Sequence, residues 1–255
     1  MPCLLEAKGL TRLFGAVVAA SNIDVEIERD TVVGLIGGNG AGKTTFINLV
    51  TGYLKPTSGS IRFEGLDITS LAPRQVTRLG ICRSFQIPQV FGSLTAYGNL
   101  LVGTGIAGRA ARGSARPGGA KSASAEEAAE EMLARFRLTA HRNALAGVLP
   151  EGVRKLLDIA MALVVKPKIL LLDEPTSGVS AEEKFAIMDL VMQAVRSAGV
   201  TVLFVEHDME IIKKYSQRII AFSEGRVIAD GLPQAVLGNA DVRRLVVGEP
   251  AAGAT

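Results

Sequence analysis

Gly37-Gly38-Asn39-Gly40-Ala41-Gly42-Lys43-Thr44 fits the pattern G-x-x-x-x-G-K-S/T. Glycines in such a loop let the backbone wrap a phosphate chain with its N–H groups pointing inward. A helix starting near Lys43 adds the positive end of its dipole. Lys43 is spaced to reach the β- and γ-phosphates, and the Thr44 hydroxyl to ligate Mg²⁺. A second constellation is Lys168-Ile169-Leu170-Leu171-Leu172-Asp173-Glu174-Pro175, an apolar run ending in two carboxylates. Asp173 suits a Mg²⁺ held through water, and Glu174 suits a water polarised for attack on a γ-phosphate. A strand ending in solvated acids is a common arrangement without function; beside the glycine loop, the functional reading is favoured.

These groups need elements to hold them. The glycine loop follows the apolar run Val32–Ile36 and opens a helical pattern at Lys43–Thr51, the strand–loop–helix context that the motif requires. Other candidate core strands are Ile81–Phe85, Ile169–Leu172 and Val200–Val205, nearly continuous apolar runs of the kind covered on both faces. Helical patterns occupy Ala125–Phe136, Gly152–Val165, Ala181–Ala198 and Asp208–Tyr215. Short strands are expected at Arg218–Ser223 and Arg226–Ala229 around a Glu224-Gly225 turn, and at Leu4–Lys8 and Ser60–Phe63. The alternation predicts an α/β fold with a largely parallel core sheet, in which ligands bind at the carboxyl ends of strands.

Composition narrows the class. The chain has 255 residues, 48% of them hydrophobic, enough for a sizeable core. Its apolar runs are far shorter than the ~20 residues of a membrane helix. Glu6, Lys8 and Arg12 interrupt the opening, so no signal peptide is expected. Cys3 and Cys82 form no disulfide framework, which points to a reducing cytoplasm. The net charge of +3 has an address: Arg109, Arg112, Arg116 and Lys121 lie in residues 103–125, which contain no acid. The remainder is close to neutral, which argues against a nucleic-acid partner. Residues 103–125 are Gly, Ala, Ser and Arg around Pro117-Gly118-Gly119 and are expected to form a flexible loop. The small residues after Gly248 are expected to form a frayed tail.

Further residues fall into one order: Gln86 after the strand Ile81–Phe85, Leu149-Pro150-Glu151-Gly152-Val153 before a helix, Asp173-Glu174, and His207 after the strand Val200–Val205. With the glycine loop in front, the chain resembles the nucleotide-binding subunit of an ATP-binding cassette (ABC) transporter from about Leu4 to Gly248. The resemblance implies a P-loop NTPase fold in one domain spanning 1–248, with an antiparallel β subdomain and a helical subdomain at about 87–165. It implies ATP and Mg²⁺ as cofactors and the reaction ATP + H₂O → ADP + phosphate. Phe14 in Leu13-Phe14-Gly15 takes the place of the aromatic that stacks on adenine; a core Phe is the alternative. Thr45 joins the phosphate-binding set Gly37–Thr44. Gln86 is implied to touch Mg²⁺ and the attacking water, and His207 to bond the γ-phosphate.

Two segments depart from the family pattern. The usual Leu-Ser-Gly-Gly-Gln signature acts on the ATP of a partner subunit, and here Pro150 replaces its serine, followed by Glu151 and Gly152. Ser180 stands where an acid or Asn is usual. Arg83-Ser84-Phe85-Gln86, Val90-Phe91, Leu94-Thr95, Asn99-Leu100-Leu101-Val102-Gly103 and Glu206-His207-Asp208-Met209-Glu210 resemble the ATPases of branched-chain (hydrophobic) amino acid uptake systems. That branch implies a second ATPase subunit paired head to tail, membrane permeases, and indirectly a periplasmic or extracellular binding protein. Its place is the cytoplasmic face of the inner (plasma) membrane, as a peripheral subunit. An ATPase of a lipid or lipopolysaccharide exporter, or a soluble non-transport ABC ATPase, is the competing expectation.

Overall fold

A computed structural model describes residues 3–112 and 124–248, and in it the chain divides into two compact units. One is built from the residues up to Ile81 together with those from Thr201 onward; the other spans Cys82–Val200.

The first unit opens with the hairpin β1 (Cys3–Phe14) and β2 (Val17–Glu28). Then come β3 (Val32–Gly37), α1 (Lys43–Val50), β4 (Ser58–Phe63), β5 (Leu66–Asp67) and α2 (Pro73–Leu79). Four strands form an antiparallel sheet in the order β2-β1-β4-β5. Register sets Leu5 opposite Ile27 and Phe63, and Ala7 opposite Val25 and Ile61, so one face is buried and apolar.

The second unit carries β6 (Ile81–Ser84), α3 (Ala96–Arg112), α4 (Ala125–Arg135), α5 (Glu151–Val164), β7 (Ile169–Asp173) and α6 (Ala181–Ser197). β7 lies beside β6 and is buried along its length, as expected for a strand covered on both faces. Helix α3 corrects one expectation: residues 103–112 are helical, and Ser124 caps α4. A Cβ added at Gly103 would come within 2.7 Å of Val164 Cγ1, so this glycine permits a close approach of α3 to α5. Residues 113–123, the tail 249–255 and the side chains of Arg109, Arg112, Arg116 and Lys121 lie outside the described set.

The chain then returns to the first unit with β8 (Thr201–Val205), α7 (Met209–Tyr215), β9 (Arg218–Ser223), β10 (Arg226–Gly231), α8 (Pro233–Gly238) and α9 (Ala240–Val242). Here β3 runs parallel to both β8 and β9, and β10 closes antiparallel on β9. Helix α1 is anchored by Phe46, whose ring centroid lies 5.6 Å from that of Phe222 on β9. Burying a side chain of this size contributes roughly 1.5–3 kcal/mol. It fixes the helix whose first turn carries Lys43 and Thr44. Among the described residues no helix is long and apolar enough to cross a membrane.

Candidate active site

In the first unit the phosphate loop bridges β3 and α1. β3 is buried throughout, and at its end a Cβ on Gly37 would lie 2.5 Å from the Phe222 carbonyl oxygen. Only glycine fits that approach. Gly42 caps α1 at φ +105°, and a Cβ there would lie 3.0 Å from the Ala19 carbonyl oxygen and from Gly225 Cα. Lys43 Nζ donates to the carbonyls of Gly37 (2.6 Å) and Gly38 (3.0 Å), folding the buried ammonium back across the loop. The Gly225 N–H donates to the Ala41 carbonyl at 3.0 Å, and the Ser21 N–H to the Gly225 carbonyl at 2.8 Å. The β9–β10 turn, read in the sequence only as a turn, thus buttresses the phosphate loop against β2. A side chain at Gly38 would meet no protein atom within 4 Å.

The parallel register Leu35↔Val205 brings His207 to this site. Gly37 and His207 both lie two residues past that pair, at the same end of neighbouring strands. His207 is exposed, and its N–H donates to Glu206 Oε2 at 3.3 Å. Asp208 caps α7 by accepting from the Glu210 N–H at 3.0 Å. Phe14 ends β1 opposite Val17 and is 45% exposed, so it is not a core residue. Its ring carries the Arg12 guanidinium 4.6 Å from the centroid, and an exposed aromatic can also stack on a nucleobase.

In the second unit, Asp173 and Glu174 stand at the end of β7. Glu174 is half-buried in the left-handed region at φ +48°, a conformation that costs a non-glycine residue roughly 1–2 kcal/mol. Its backbone is held by Lys155 Nζ, which donates to the Glu174 carbonyl at 3.1 Å. Gln86 Nε2 donates to Glu174 Oε2 at 2.7 Å, joining two residues that the sequence proposed separately for the hydrolytic step. Arg83 Nη2 donates to Asp173 Oδ2 at 2.5 Å, and its guanidinium also lies 4.7 Å from the Phe85 ring centroid. Arg83, Lys155 and Asp158 were given no role from sequence. Their partners lie elsewhere along the chain, and the only local signal was Arg83 within the segment Arg83-Ser84-Phe85-Gln86.

Pro150 is the N-cap of α5 and provides no side-chain cap; its carbonyl accepts from the Arg154 N–H at 3.0 Å. Glu151 supplies a negative charge in the first turn, and a Cβ at Gly178 would sit 3.0 Å from its Oε1. A Cβ at Gly152 would lie 3.3 Å from Ile187 Cδ1, so this glycine also serves packing against α6. Ser180 has a local task as N-cap of α6, its Oγ accepting from the Glu183 N–H at 3.3 Å.

Comparison with known proteins gives the family. A family model described as ABC transporter matches residues 20–177. The chain is 36% identical over 250 residues to the high-affinity branched-chain amino acid transport ATP-binding protein BraF of Pseudomonas aeruginosa, covering 96% of this chain and 98% of that one. It is 36% identical over 252 residues to the corresponding protein LivG of Escherichia coli, with the same coverage. The solved ATP-binding cassette MJ1267 of an ABC transporter matches with a TM-score of 0.83 at 30% identity, covering 96% of this chain and 99% of that one. Matched along nearly its whole length, the chain belongs to the ABC transporter family as an ATP-binding subunit, an ATPase whose hydrolysis is coupled to transport.

Proposed function

We propose that this ATPase powers an ABC importer for branched-chain or other hydrophobic amino acids, or related small amides or acids. The observation that carries the substrate class is the 36% identity, over nearly the full length, to two proteins named for branched-chain amino acid transport. Residues 1–248 act as one cassette. Phe14 stacks on adenine, the loop Gly37–Thr45 cradles the phosphates, and His207 bonds the γ-phosphate. Glu174 takes a proton from the attacking water, and Gln86 holds its carboxylate in place, a role supported by their 2.7 Å hydrogen bond.

Thr44, Gln86 and Asp173 offer a hydroxyl, an amide and a carboxylate. These are oxygen donors of the type Mg²⁺ takes, so the residues fit the ion. Bound there, Mg²⁺ would neutralise phosphate charge. The Asp173–Arg83 ion pair supports a fixed orientation for that carboxylate. Pro150, Glu151 and Gly152 face the ATP of a second ABC ATPase subunit in a head-to-tail pair. The pair docks on membrane permease subunits at the cytoplasmic face of the inner (plasma) membrane, and the permeases receive substrate from a binding protein outside. The relatives' names favour this over a lipid exporter or a soluble ABC ATPase.

The test is uptake of labelled leucine, isoleucine and valine by cells lacking this chain, complemented with the wild type or with Glu174→Gln. Restored uptake with the wild type alone supports the proposal. Uptake that never depended on the chain overturns the substrate class.

A further inference from the structure

Helix α5 carries two buried charged residues three positions apart, Lys155 (3% exposed) and Asp158 (7% exposed). Side chains at this spacing share a helix face. Asp158 Oδ2 accepts from Ser84 Oγ at 2.5 Å, and Asp158 Oδ1 from the Gln89 N–H at 3.0 Å. The Phe85 backbone also draws this carboxylate toward its charged form. One carboxylate therefore ties down both flanks of residues 86–88, the segment that presents Gln86. Lys155, one turn earlier, holds the Glu174 carbonyl, and Gln86 closes the circuit on the Glu174 carboxylate at 2.7 Å.

Both members of the hydrolytic pair are thus referred to a single rigid element. The anchor is chemically expensive: burial pushes the Asp158 carboxyl up, while Ser84, Gln89, Phe85 and Lys155 draw it down. Apolar side chains could fill such a space without desolvating a charge, but they could not accept the hydrogen bonds from Ser84 and Gln89.

We propose that Asp158 and Lys155 are positioning residues, through which helix α5 sets the contact between Gln86 and Glu174. The proposal rests on the assignment of Gln86 and Glu174 to the hydrolytic step. Because α5 begins at Pro150-Glu151-Gly152, the helix that faces the partner's nucleotide also aligns the hydrolytic pair of this chain's own site.

The experiment is a double-mutant cycle on the assembled transporter, reading kcat and KM for ATP, with melting temperature recorded for each variant. Asp158→Asn keeps the shape but removes the charge and part of the acceptor capacity. It is expected to lower kcat roughly 10- to 100-fold, as a misplacement of about 1 Å does, with KM changed less than about twofold. In a Gln86→Ala background the same substitution is expected to change kcat less than about twofold, because the contact it sets is already gone. Ser84→Ala, which removes one donor only, is expected to follow the same pattern more weakly and serves if Asp158→Asn does not fold. An equal kcat loss in both backgrounds, or no loss on its own, overturns the proposal. If Gln86→Ala alone leaves kcat intact, the assignment of Gln86 fails first, and that single variant identifies the failure.

Discussion

The side-chain amide of Gln86 lies 2.7 Å from the Glu174 carboxylate, though the two residues are 88 positions apart. A donor at this distance keeps the carboxylate in one rotamer, with its second oxygen left to take a proton from water. Glu174→Gln retains the shape but not the basicity. It is expected to bind ATP with unchanged affinity and to lose hydrolysis by at least about 100-fold, the scale of a general base. Nucleotide titration followed by phosphate release measures both. Hydrolysis at the normal rate would remove Glu174 as the base.

Two glycines of the phosphate loop should respond differently to alanine. Gly42 sits at φ +105° with the Ala19 carbonyl 3.0 Å from any added Cβ, so Gly42→Ala is expected to cost roughly 1–3 kcal/mol of stability. At Gly38 an added methyl meets no protein atom within 4 Å. Gly38→Ala should therefore melt like the wild type while its ATP affinity falls about tenfold, or ~1.4 kcal/mol. Thermal melts with and without nucleotide separate the two effects. A destabilised Gly38→Ala would show that its backbone, not its ligand, demands glycine.

These sites were legible in the sequence to different depths. The phosphate loop and the Asp173-Glu174 pair are contiguous motifs whose chemistry is local, and each stands at the end of a buried strand, β3 and β7. Phe14 was open between core and ligand, and its 45% exposure rules out the core. Arg83, Lys155, Asp158 and Gly225 act through partners brought together only by folding, such as Asp173 for Arg83 and Ala41 for Gly225. Residues 103–125 read as a loop because a Gly, Ala, Ser and Arg composition buries little apolar surface, yet 103–112 are helical. At Gly103 the lack of a side chain itself permits packing against Val164, a tertiary contact that composition does not reveal.

The caps of α5 and α6 make an opposed pair. Ser180 forms a capping box with Glu183, each supplying what the other's backbone lacks. Ser180→Ala is expected to cost about 1 kcal/mol, a fall in Tm of about 2–4 °C for a chain of this size. Pro150 gives α5 no such bond, so Pro150→Ser is expected to raise stability by up to about 1 kcal/mol. It also adds a hydroxyl at the position proposed to face a partner's ATP, so ATPase activity of the subunit pair should rise. Unchanged rate and ATP affinity would show that this position contributes nothing to the composite site.

The two cysteines should differ in chemistry because they differ in burial. Cys82 lies inside β6, and burial pushes its thiol up to about 12, whereas Cys3 is exposed. The thiolate is the reactive form. At pH 8 a disulfide-exchange reagent is expected to label Cys3 in the folded protein, and Cys82 only after unfolding. The sign of the linkage follows from the raised value. Below pH 9 both states hold the Cys82 proton and its contribution to stability is full. Above pH 9 the unfolded chain releases the proton first, so stability declines as pH rises toward 12. Denaturant midpoints compared with those of Cys82→Ala between pH 8 and pH 11 should converge as pH rises. Parallel curves would show that Cys82 is reached by solvent in the folded state.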